Sequence, residues 1–203
     1  MPTAFQKELV TLAHRLADLG DLVAIALEEA TRSVLESDHT LGGRALEQAA
    51  AVAALGAACE DQAGALLALH APPEAEVKAV LAAVHTAADL TRMGGLAREV
   101  AEARGPVPPE ARPAVARLGG HAVAAARALR EVLVDGDAEE LGAAVALARV
   151  AEREVRDWVD GGAWPRLAGV AVDLALLSAV YGRFAATAVR IGRRAAGMAP
   201  VGS

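Results

Sequence analysis

The chain has 203 residues, is 54% hydrophobic but only 2% aromatic, and carries a net charge of -6. The acidic balance argues against general nucleic-acid binding, which needs a basic footprint. A core of Ala, Val and Leu lets helices approach closely and favours helix-on-helix packing over a sheet.

In chain order, Leu9, Leu12, Leu16, Leu19, Val23, Leu27 and Val34 recur at helical steps, which predicts one long amphipathic helix over residues 4–36. Asp38 or Thr40 then supplies an N-cap for a second helix over about 40–70, ended by Pro72 and Pro73. Residues 74–103 give a third, with Pro73 placed at its start. RGPVPPEARP, Arg104 to Pro113, is the clearest break in the chain. After it the pattern restarts. Helices are predicted over about 110–134, 138–159 and 164–196, separated by the Asp135-Gly136-Asp137 turn and by Gly161-Gly162.

Three helices followed by three more suggest an internal repeat. DLGDLVAIALEEATRSVLESD from Asp18 aligns with RLGGHAVAAARALREVLVDGD from Arg117, at an offset of 99 residues. RMGGLA from Arg92 aligns with RFAATA from Arg183, at an offset of 91, so the second half has shorter connections. The expected fold is all-α: six long helices in two tandem three-helix bundles, residues 1–104 and 105–203, packed side by side.

Catalytic signals are missing. His14, His39, His70, His85 and His121 form no pair at metal-ligand spacing, and scattered surface or partly buried histidines are the simpler reading. Cys59 is the single cysteine, so no intramolecular disulfide forms, and it reads as a small core residue in a cytosolic setting. Ser33, Ser37, Ser178 and Ser203 lie in no GxSxG elbow, and the glycines make neither a Walker A loop nor GxGxxG. Glu28, Glu29, Glu99, Glu102, Glu139, Glu140, Glu152 and Glu154 read as solvated helix faces. Arg190, Arg193 and Arg194 read as complements to the last helix's dipole rather than as an anion site. Trp158 and Trp164 flank the last glycine break, where they are expected to cover the open end of the second bundle. MPTAFQKELV has no secretory character, and no uncharged apolar run reaches the length of a membrane span.

Four stretches carry a family resemblance. VDLALLSAVYGRFAATAVRIGRR (Val172 to Arg194) and ADLTRMGGLAREVA (Ala88 to Ala101) resemble the matching third helices of the PhoU family of phosphate-signalling regulators. In that family these contain Glu-Arg-Phe/Ile-x-Asp-His-Ala and Asp-Leu-Glu-Arg-x-Gly-Asp-Leu-Ala. LLALHAPPEAEVKAVLAAV (Leu66 to Val84) resembles the family's turn between helices two and three, and F-x-x-E-L from Phe5 also fits. The resemblance covers almost the whole chain, including its two-fold repeat.

It implies a cytoplasmic, non-enzymatic protein that restrains phosphate uptake and the phosphate-starvation response. Such proteins act through contacts with the ATPase of the phosphate ABC transporter, with a membrane sensor histidine kinase, or with both. They meet the membrane only through partners and are often dimeric. Many members hold multinuclear iron or zinc clusters on carboxylates four residues apart, a spacing that puts two oxygen donors on one helix face. Here those positions are Ala49 and Ala53 on the second helix, Thr91 and Gly95 on the third, Glu152 and Arg156 on the fifth, and Gly182 and Ala186 on the sixth. Only Glu152 keeps a carboxylate. The expectation is therefore no metal cluster and no cofactor. Gly94 matches a glycine the family favours for close packing, and Arg92 and Arg183, beside the motifs, are retained. The competing expectation is a divergent helical adaptor whose partner is unrelated to phosphate.

Overall fold

A computed structural model describes residues 3–70, 72–103, 105–161 and 168–196. They form six helices: α1 (Ala4–Glu36), α2 (His39–Leu69), α3 (Glu74–Ala101), α4 (Arg112–Val134), α5 (Glu139–Gly161) and α6 (Ala168–Ala196). The predicted start of the sixth helix at 164, and Trp164 with it, lie outside the described residues. Trp158 packs half-buried against the core.

The boundaries follow local chemistry. At the head of α1, the Thr3 hydroxyl accepts from the Gln6 N–H while the Gln6 side chain accepts from the Thr3 N–H, a reciprocal capping box. Ser37 ends α1 in the left-handed region at φ 57°. Asp38, not Thr40, caps α2, accepting from the N–H groups of Thr40 and Leu41 at 2.8 and 3.3 Å. One repeat later Asp137 accepts the Glu139 N–H at 2.9 Å in the same way. These backbone donors and desolvation act in opposite directions on Asp38, and the donors prevail, holding its carboxyl below the usual range.

Each repeat is a three-helix bundle, α1–α3 and α4–α6, and the two meet through α1 against α4 and α3 against α6. One apolar core, from Phe5 on α1 to Ala195 on α6, includes residues of all six helices. Even the Pro-rich linker joins it, since Val107 and Ala111 are buried. Cys59 is buried as well, and burial pushes its thiol pKa up.

The α1/α4 seam is antiparallel and close to symmetric. Gly20 packs against the Cβ of Leu129, while its repeat equivalent Gly119 packs against Thr31. A Cβ on Gly119 would lie 2.4 Å from the Thr31 methyl, so the helices approach here only because the side chain is absent. Thr31 in turn donates to the Leu27 carbonyl and accepts from the buried Tyr181 hydroxyl, each at 2.7 Å, which ties α6 of one repeat to α1 of the other. Outside this apolar seam, Arg130 pairs with Asp18 and Asp21, and Arg127 with Glu28. These pairs are half-exposed and screened, so they set orientation more than stability.

Helices α2 and α6 are long and apolar enough, when a few charges are allowed, to meet a length-and-composition criterion for membrane crossing. Both are packed in the bundles, where α1 and α3 cover one side of α2 and α3, α4 and α5 flank α6.

Candidate functional site

The chemistry of the molecule concentrates on the α3/α6 seam. At its centre is Asp89 on α3, 4% exposed. Arg190 donates Nε–H and Nη2–H to its two oxygens at 3.0 and 2.9 Å, Arg194 adds a bond of 3.0 Å, and Arg92 one of 2.8 Å. Burial alone would raise the Asp89 pKa. The hydrogen bonds and charges of Arg190 and Arg194 outweigh it, and the carboxyl is held below its usual range. The same bonds raise the Arg190 pKa. Arg190 and Arg194 are therefore not free complements to a helix dipole, as the sequence suggested. They bind a carboxylate on the other repeat.

Beside Asp89 lies an open groove of about 740 Å³, lined by Arg92, Gly95, Leu96 and Glu99 of α3 and by Arg183, Ala186, Thr187 and Arg190 of α6. An offset of 91 residues carries Arg92 to Arg183, Gly95 to Ala186, Leu96 to Thr187 and Glu99 to Arg190. The lining is thus the same four repeat positions taken twice, and the antiparallel pairing of α3 with α6 brings them face to face. The charge symmetry fails at one place, where Glu99 holds the position that Arg190 holds in the second repeat, and Glu99 accepts a bond from Arg183. Glu99 is a cross-helix partner, not simply a solvated residue. So are Glu28 with Arg127 and Glu154 with Arg117. Glu29 pairs with Arg44 at 3.3 Å, and its Oε2 is buried without a partner.

The eight positions aligned with family metal ligands fall into two settings. Thr91 faces α2, but against Gly56: a Cβ there would sit 2.0 Å from the Thr91 hydroxyl, which is buried without a hydrogen-bond partner. Gly94 faces Val52. The α2 residues opposite this part of α3 are therefore Val52 and Gly56. Ala49, which is buried, and Ala53, which is exposed, offer only methyl groups. In the second repeat Gly182 faces Glu152, whose carboxylate lies 3.1 Å from where a Gly182 Cβ would be. Glu152 accepts from Arg156 at 2.9 Å. Gly95 and Ala186 turn away from these seams into the arginine groove. The single carboxylate of the set is engaged by a guanidinium, and among the described residues no three His, Cys, Asp or Glu side chains are grouped to hold a metal ion. The residues present do not fit a multinuclear cluster.

A second, mainly apolar cleft of about 460 Å³ includes Val107 of the linker and Leu174, Leu177 and Val180 of α6, and it shares Glu99 and Arg183 with the groove. Sequence reading located Arg92, Arg183 and Gly95 but missed Asp89 as an organising group. The signal available was an acid on an otherwise apolar helix face, one turn from Arg92.

Comparison with known proteins shows the family and the fold. The family model described as the PhoU domain matches residues 16–103, the first repeat. The chain is 33% identical over 211 residues to the phosphate-specific transport system accessory protein PhoU homolog 2 of Mycobacterium tuberculosis, covering 96% of this chain and 95% of that one. It is 31% identical to PhoU homolog 1 of Mycobacterium leprae, covering 96% and 91%. The crystal structure of PhoU from Pseudomonas aeruginosa superposes with a TM-score of 0.81 at 18% identity, over 96% of this chain and 98% of that one, a likeness of fold.

Proposed function

The chain belongs to the PhoU family, and from that premise we propose that it is a cytoplasmic negative regulator of phosphate uptake and phosphate-starvation signalling. It acts by protein contacts with the ATPase subunit of a phosphate ABC transporter, with a membrane sensor histidine kinase, or with both. The observation that carries this reading is likeness along both repeats to proteins named as accessory to phosphate-specific transport. A contact role fits a chain whose ionic groups tie helices together and form no nucleophile–base pair among the described residues. Affinity capture from native cells at high and low phosphate, followed by mass spectrometry, tests it. The expected result is recovery of the ATPase or the kinase, with derepression of phosphate-starvation genes on deletion. Neither partner and unchanged expression would defeat the proposal and leave the second reading, an adaptor for an unrelated partner, which the altered ligand positions favour.

The regulator works without a multinuclear metal cluster. Seven of the eight aligned positions have no carboxylate, and Glu152 is bound to Arg156. Elemental analysis of protein purified without chelators is expected to find less than one equivalent of iron or zinc per chain. Stoichiometric, tightly held metal would show the assignment to be mistaken.

A further inference from the structure

We propose that the α3/α6 groove is a binding site for a linear oligophosphate, either free or as the tail of a nucleotide. Among the described residues, Arg92, Arg183, Arg190 and Arg194 form ion pairs with two acids, Asp89 and Glu99, and Asp173 lines the adjoining cleft, so the cluster holds a surplus of positive charge in a chain whose net charge is -6. Arg92, Arg183 and Arg190 line the cavity. Each guanidinium has five N–H donors. Arg92 donates one bond to Asp89, Arg183 one to Glu99, and Arg190 uses its Nε and Nη2 on Asp89 and Thr187. Donors on all three remain for a ligand, and their side chains are about half exposed, so they can reach it.

The shape selects the ligand. Arg183 and Arg190 are seven residues apart on α6, about 10 Å along the helix, and Arg92 reaches in from α3. Arg92 and Arg190 already converge on one carboxylate, Asp89, while Arg183 is drawn to Glu99 instead, so a chain of two or three phosphoryl groups can engage both sets where one orthophosphate engages one. Planar guanidinium forks match phosphoryl oxygens in pairs. Between the arginines the walls are small. A Cβ on Gly95 would meet nothing within 4 Å, and Ala186 adds only a methyl. Glu99 stands in the groove as the internal anion that occupies Arg183, so an oligophosphate must displace or share it.

The test is isothermal titration calorimetry of the full chain in low salt, with orthophosphate, pyrophosphate, tripolyphosphate and ATP. Tripolyphosphate should bind more tightly than orthophosphate and weaken as salt is added. Comparable binding of ATP assigns the site to a nucleotide tail, and failure of ATP alone assigns it to the free anion. Arg92→Gln and Arg183→Gln should each weaken tripolyphosphate binding by about tenfold, the scale of one charge-assisted bond. Glu99→Gln should tighten it by roughly threefold to tenfold by freeing Arg183. A misfolded variant cannot produce that gain. Gly95→Asp should abolish binding while leaving the circular dichroism melt cooperative. No binding of any oligophosphate, or binding indifferent to both arginine changes and to Glu99→Gln, overturns the proposal.

Discussion

Asp89→Ala is expected to destabilise the protein by about 2–3 kcal/mol, the largest effect of any single substitution among the ion-paired residues of the α3/α6 seam. Breaking a buried ion pair by removing one partner costs about 3–5 kcal/mol when the orphaned charge is fully buried. The partners here are less confined, since the side chains of Arg92, Arg190 and Arg194 are 60%, 47% and 23% exposed. Water can take over part of what Asp89 supplied, which lowers the expected cost. Arg194 has least access to water and should account for most of the loss. Urea unfolding at neutral pH measures the difference, and a loss under about 0.5 kcal/mol, the range of ordinary surface substitutions, would refute this account of the seam.

The same residue gives the pH dependence its sign. The folded-state pKa of Asp89 lies below its ordinary value of 3.8. A carboxyl whose folded pKa is depressed adds stability above its unfolded pKa and loses it as pH falls toward the folded one. Wild type should therefore lose this contribution below about pH 4. Asp89→Asn, which has no proton to gain, should show a gap from wild type that is constant from pH 7 to 5 and narrows below about pH 4. A gap that widens with acid would reverse the sign and exclude Asp89 as its source.

Much of the fold was legible because it is local. Of the seven residues that predict the stripe of α1, Leu12, Leu16, Leu19, Val23 and Leu27 are buried, and Leu9 and Val34 at its ends are half-buried against the core. Asp38 and the Pro72-Pro73 pair punctuate the chain where the helices change. The repeat was legible because both offsets are written in residues, and the offset of 91 reappears as the two walls of the groove. The pairing of α3 with α6 was not legible. Asp89 lies 101 and 105 residues from Arg190 and Arg194. An arginine near a helix end has the same local sequence whether it faces water, a dipole or a carboxylate on another helix. The α2 register escaped for a related reason. With alanine or glycine at most nearby positions, residues 49, 52, 53 and 56 differ too little in pattern to say which face α3. The structure selects Val52 and Gly56.

That register makes the neighbouring glycines of α3 opposites. Gly95→Ala should stabilise the protein by about 0.5–1 kcal/mol, since glycine in a helix interior costs about that much relative to alanine. The added methyl would enter open space. Gly94→Ala gains the same helix propensity but places its Cβ 2.6 Å from Val52 Cγ1 and 3.0 Å from Val52 Cβ. Val52 is fully buried and β-branched, so it cannot swing aside as the end of a long side chain would. Overpacking of this kind costs about 1–3 kcal/mol, which leaves Gly94→Ala destabilising by roughly 1–2 after the propensity gain. Thermal and urea unfolding of the two single variants should move in opposite directions. Val52→Ala tests the cause, because removing the clashing methyls should make Gly94→Ala harmless or stabilising in that background. Equal signs for the two glycines, or an effect of Gly94→Ala that Val52→Ala does not change, would mean that α2 and α3 do not meet at Val52 and Gly94.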